Sequence, residues 1–124
     1  MQATGLVRDI QTADAAAGLI DDAAAAHGRV DAVIDCVATG PAGARLTGLF
    51  ADTDPRHFGA FYDLSAAWFQ RLAHAAYPHL ARKGGALIAF ISDAGIFAAP
   101  RQTIVGAARA ATIAAMKIGL TGGI

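Results

Sequence analysis

Two short apolar runs, Val30–Val37 and Gly84–Ile91, are joined by a long helical stretch, and this arrangement constrains the chain more than any other feature. Each run is strand-sized. Val30, Ala32, Val33, Ile34, Cys36 and Val37 are apolar with few breaks, which predicts a strand covered on both faces, as in a parallel sheet. Parallel neighbours need a crossover, usually a helix. The segment opened by Asp54-Pro55 and running to about Arg82 supplies one. Its apolar residues Phe58, Phe61, Leu64, Ala67, Trp68, Leu72, Ala75 and Ala76 recur near helical period, and Pro78 is expected to kink its last third. Upstream, Leu6–Ile10 reads as a short strand. A helix from about Ala13 to His27 follows, with Gly28 placed to stop it. Downstream come a loop over Ser92–Arg101 and a helix over Gln102–Lys117. Strand and helix alternate three times. This predicts an α/β layer fold with a parallel sheet and right-handed crossovers. No repeat or internal boundary interrupts residues 1–124, which read as a single domain.

Composition narrows the function classes. The chain has 124 residues, 55% of them hydrophobic and 16% charged, with a net charge of +0. That suits one compact domain and excludes a disordered chain. Balanced charge without a Lys/Arg cluster gives no reason to expect nucleic acid. No apolar run reaches the ~20 residues that span a bilayer. Arg8, Asp9 and Asp14 break up the N-terminal stretch before a signal-peptide core forms, so a cytoplasmic location is the default expectation. The single cysteine, Cys36, allows no intrachain disulfide and is expected to be a small buried hydrophobe. His27, His57, His74 and His79 share no metal-ligand spacing, and no metal site is expected.

Several segments, in order, are similar to one family. Asp9-Ile10, then a helix, then His27-Gly28-Arg29-Val30-Asp31-Ala32-Val33-Ile34 is similar to the pattern D-[VI]…G-[RK]-[IV]-D-x-[LV]-[VI]-N-N-A-G. Phe61-Tyr62-Asp63-Leu64 and Tyr77-Pro78-His79-Leu80 look like its long helix. Gly84-Gly85-Ala86-Leu87-Ile88-Ala89-Phe90-Ile91-Ser92-Asp93-Ala94-Gly95 matches G-G-x-I-[VI]-x-[IV]-S-S-x-A-G. Nearly the whole chain resembles the middle of a short-chain dehydrogenase/reductase (SDR) domain. The resemblance implies a partial Rossmann-type fold, a doubly wound parallel sheet in a three-layer sandwich, running from the third strand to the helix after the fifth. It implies NAD or NADP as cofactor, and an oxidoreductase acting on a carbonyl or alcohol.

The family's chemistry uses Ser, Tyr and Lys, with an Asn on the long helix. Tyr exchanges a proton with the substrate oxygen, Lys lowers the Tyr pKa and holds the nicotinamide ribose, and Ser orients the substrate. Only Ser92 is retained here. Thirteen positions on, where Tyr is expected, stands Val105, and Arg109 takes the Lys position. Asp63 replaces the Asn, and Asp35-Cys36-Val37-Ala38 replaces the N-N-A-G turn. Tyr62 and Tyr77 are the only tyrosines and neither begins a Y-x-x-x-K, so no shift of register restores the pair. The T-G-x-x-x-G-x-G turn that holds the pyrophosphate has no counterpart. The resemblance leaves Asp9, Ile10, Ala38 and Arg109 as cofactor-contact positions. Asp35 and Asp63 are expected to face solvent.

Two functional expectations follow. One is a fragment of an NAD(P)-dependent SDR oxidoreductase, expected to be inactive by itself and not to bind the cofactor alone. The other is a catalytically silent SDR-like subunit, a homo- or hetero-oligomer through the helices at 55–82 and 102–117, acting as partner of an active dehydrogenase. The aromatics Phe58, Phe61, Tyr62, Trp68 and Phe69 suit either that interface or a core.

Overall fold

The computed structural model describes residues 2–38 and 40–119. Two strands, β1 (Ala32–Asp35) and β2 (Ala86–Ala89), pair in parallel with Ala32 opposite Ala86 and Asp35 opposite Ala89. The ladder extends through Ala86 N–H to Asp31 O (3.0 Å) and Phe90 N–H to Asp35 O (2.9 Å). Four α-helices accompany them: α1 (Ala15–His27), α2 (Phe58–Tyr62), α3 (Trp68–Leu80) and α4 (Thr103–Gly119). This is a partial Rossmann-type α/β fold, with the parallel pair and its crossover helix where the sequence places them.

Helix α1 ends as Gly28 requires. Its φ of 77° lies in the left-handed region, and its N–H closes on Ala24 O at 2.7 Å. The long crossover has four parts: a 3-10 turn at Pro55–His57, then α2, a π-helical turn at Asp63–Ala67, and α3. The departure from α geometry therefore falls at 63–67, while α3 continues through Pro78 to Leu80. Pro78 lies close to the C-terminal end, where few later turns depend on the helical ladder. At the other end Asp54 accepts from Arg56 N–H and from its guanidinium, which holds the Asp54 carboxyl down at about 2.

The core lies between α1 and α3. Ala15, Ala16 and Ile20 pack against Trp68, Leu72, Ala76 and Leu80, and Val33, Val37 and Leu87 close it from the sheet. The aromatics of the crossover divide accordingly. Phe61, Trp68 and Phe69 are buried, whereas Tyr62 is exposed.

Four expectations are corrected. Leu6–Ile10 forms no strand. It has no sheet neighbour to satisfy its backbone and makes local bonds instead: Gln11 N–H to Asp9 Oδ1 (3.0 Å) and Thr12 N–H to Asp9 O (3.1 Å), with Arg8 paired to Asp22 on α1. The strands are covered on one face only. Side chains alternate along a strand, so Val33 and Leu87 meet the helices while Ile34 (56% exposed) and Ile88 (46%) face away from them. Cys36 shares the parity of Ile34 and is exposed rather than buried. Asp35, on the opposite parity, is buried rather than solvent-facing.

Candidate functional site

The candidate site lies where β1 ends beside α4. Arg109 is nine-tenths buried, and its Nη2 donates to Val37 O at 2.8 Å, tying α4 to the chain just past β1. Four residues earlier on α4, Val105 lies on the same face by helical spacing. Arg109, Val105, Ala38, Phe61 and Ser65 line a cavity of about 80 Å3, with Leu46, Ile104 and Ala108 completing its wall. Ser65, in the π-helical turn, is buried, and its Oγ has no hydrogen-bond partner.

Asp35 stands behind this wall. Its Oδ1 accepts from Trp68 Nε1 (3.3 Å) and from Val37 N–H (3.1 Å), so it fixes the end of β1 against α3. Asp63 pairs with Arg71 at 3.0 Å, one turn-pair further along the crossover. Ser92 caps the 3-10 turn Asp93–Gly95 that follows β2: its Oγ accepts from Ala94 N–H at 3.2 Å and contacts Asp93 Oδ1 at 3.3 Å. That turn is pressed onto α4. A Cβ on Gly106 would stand 2.6 Å from Ala94 O.

The structure thus brings Ala38, Val105 and Arg109 to one cavity. Ser92 does not line it, and neither do Asp9 and Ile10. Ile10 packs instead against the α1–α3 core, and Asp9 caps a turn. Sequence reasoning missed Ser65 and the Asp35–Trp68 bond. Ser65 was findable in principle, as it lies four residues after Phe61 on an otherwise apolar helix face. The Asp35–Trp68 bond joins residues 33 apart, and no local pattern announces it.

The cavity beside Arg109 does not fit a whole dinucleotide. Ligand sites of drug size enclose about 300–1,000 Å3, and this cavity is far smaller. A pyrophosphate is held by backbone N–H groups at a helix N-terminus. Helix α1, the one that follows the Asp9 turn, instead has Asp14 at its N-cap, a carboxylate without a capping bond. A second cavity of about 280 Å3 lies under the loop after β1, with Arg45, Asp52 and His57 in its wall. Among the described residues no cluster of His, Cys, Asp and Glu could hold a metal ion, and no helix is long and apolar enough to cross a membrane.

A family model described as enoyl-(acyl carrier protein) reductase matches residues 1–118. Among solved structures, a short-chain dehydrogenase from Mycobacterium smegmatis superposes with a TM-score of 0.80 at 20% identity, over 92% of this chain and 46% of that one. One from Streptomyces avermitilis gives 0.77 at 23%, over 93% and 40%. The enoyl-(acyl carrier protein) reductase of Anaplasma phagocytophilum, solved in complex with NAD, gives 0.75 at 24%, over 88% and 41%. No curated protein matches the chain. The fold is a partial Rossmann-type α/β fold. The chain belongs to the short-chain dehydrogenase/reductase family, and it spans less than half the length of these solved relatives.

Proposed function

We propose that this chain is part of an NAD(P)-dependent SDR oxidoreductase fold and performs no proton transfer of its own. The single observation that carries this reading is Val105, an alkyl side chain at the family's Tyr position and in the wall of the same cavity as Arg109. A general acid must be titratable and within reach of the reacting oxygen. Valine is neither donor nor acceptor, so the site keeps a cation without the phenol it would assist. A guanidinium in place of an ammonium differs in geometry as well, and here it is engaged with Val37 O. Ser92, whose hydroxyl meets the backbone of its own turn, supports the same reading. The cofactor class is NAD or NADP by family, and the chain alone is expected not to hold it. Fluorescence titration with NADH and NADPH tests this. No saturable change is expected for either nucleotide, and saturable binding would overturn the reading.

A second reading has its own support. The exposed Ile34, Ile88 and Phe90 (64% exposed) form an apolar strip on the bare sheet face, and β1 pairs with β2 alone among the described residues. Open strand edges and apolar patches recruit other chains. We infer that the chain associates with an SDR-type subunit or with itself, the helices at 55–82 and 102–117 remaining the interface the family suggests. Light scattering coupled to size exclusion is expected to show mass rising with concentration, and Ile34→Lys with Ile88→Lys is expected to reduce it. A concentration-independent monomer would remove this reading.

A further inference from the structure

The geometry points to the cavity between Arg109 and Ser65 as a binding site for a short-chain carboxylate. Nothing in this inference depends on nucleotide binding or on oxidoreductase chemistry. It begins from a buried cation with no counter-ion among the described residues. Arg109 is nine-tenths buried, yet none of the four ion pairs among the described residues includes it. Asp35, at the end of β1, accepts instead from Trp68 Nε1 and from the Val37 amide. One guanidinium nitrogen meets Val37 O. Among the described residues that is the only hydrogen bond of the guanidinium, which lines the cavity wall. A buried charge without a partner is unfavourable, and an anion delivered to it relieves that cost.

Ser65 is the second, independent observation. It is buried, it lines the same cavity, and its hydroxyl has no partner. A hydroxyl can turn to donate to an oxyanion. A guanidinium fork and one hydroxyl suit the two oxygens of a carboxylate. The rest of the wall, Ala38, Phe61, Ile104 and Val105, is apolar and suits a short alkyl tail. A phosphate would need more donors than these. The cavity is small, about 80 Å3, which favours a short acid such as acetate or propionate. Val105 sets that limit, since a larger residue there would fill the space.

The test is titration of the full chain with acetate and propionate, with chloride and inorganic phosphate as comparators at constant ionic strength. It is followed by NMR amide shifts of residues 61–65 and 105–109. Saturable binding of the carboxylates in the millimolar range is expected, with little response to chloride or phosphate. Arg109→Gln also removes the bond to Val37, so three other variants carry the test. Arg109→Lys keeps the charge without the fork and is expected to weaken binding about tenfold. Ser65→Ala removes an unpartnered hydroxyl, is expected to fold at least as well, and weakens binding several-fold. Val105→Phe fills the cavity and abolishes binding while circular dichroism stays native. Equal response to all four anions, or binding that survives Val105→Phe, would overturn the proposal, as would the absence of saturable carboxylate binding.

Discussion

Trp68→Ala is expected to destabilise the chain by about 3–5 kcal/mol, the range for removing a large buried aromatic side chain. Trp68 is 2% exposed and belongs to the α1–α3 core cluster together with Ile20 and Leu72. Its Nε1 also donates to Asp35 Oδ1. Losing it opens a cavity and leaves a buried carboxylate with the Val37 amide alone. Trp68→Phe separates the two effects. It keeps most of the packing and removes the donor, and about 1–2 kcal/mol is expected. Urea denaturation followed by circular dichroism reads both, since Trp68 is the chain's single tryptophan and its fluorescence disappears with it. Loss of less than about 0.5 kcal/mol on Trp68→Ala, the scale of an ordinary surface change, would mean that the core is not built around this residue.

Gly106→Val is the second large effect. Ala94 O lies where the new Cβ would stand, at 2.6 Å, and the obstacle is backbone rather than a flexible side-chain end. Either α4 or the Ser92–Gly95 turn must move, and overpacking of this kind costs about 1–3 kcal/mol. Gly59→Ala is the control from the same class of residue. It lies in α2 with nothing within 4 Å of its Cβ direction, so alanine should stabilise by about 0.5–1 kcal/mol through helix propensity. Thermal melts should therefore move in opposite directions for the two glycines. A neutral Gly106→Val would show that the turn after β2 does not rest on α4.

Much of this architecture was legible in the chain itself. Gly28 announced the end of α1 because a left-handed cap favours glycine. The two apolar runs and the long amphipathic segment between them announced a parallel pair with a helical crossover. Other features escaped for physical reasons. Leu6–Ile10 has the composition of a strand, but strands are stabilised by their neighbours, and in its absence the segment turned on Asp9. The run of apolar residues in β1 implied cover on both sides. Hydrophobicity reports what a face tolerates, however, and does not report whether a helix lies on it; Ile34 and Cys36 therefore lie open. Asp35 looked like a surface carboxylate because its partner Trp68 is distant in sequence.

The site divides along the same line. Val105 and Arg109 were identified by their spacing from Ser92, and the structure places both in one cavity wall. The burial of Ser65 and its place beside Arg109 in one cavity wall are tertiary facts, visible only once the crossover and α4 meet. Ser92 is where the pattern puts it, just after β2, and its hydroxyl meets its own turn.

The central claim is that the chain has the family's scaffold and lacks its proton-transfer group. The most direct measurement is NADH and NADPH oxidation by the purified chain with a panel of ketones, aldehydes and enoyl thioesters, followed by the nicotinamide absorbance against a no-protein control. The account predicts no oxidation above that control for any substrate with either nucleotide. Turnover that persists in the wild-type chain and falls on Ser92→Ala would contradict it, because an active centre would then exist without the residue at position 105 that the family uses.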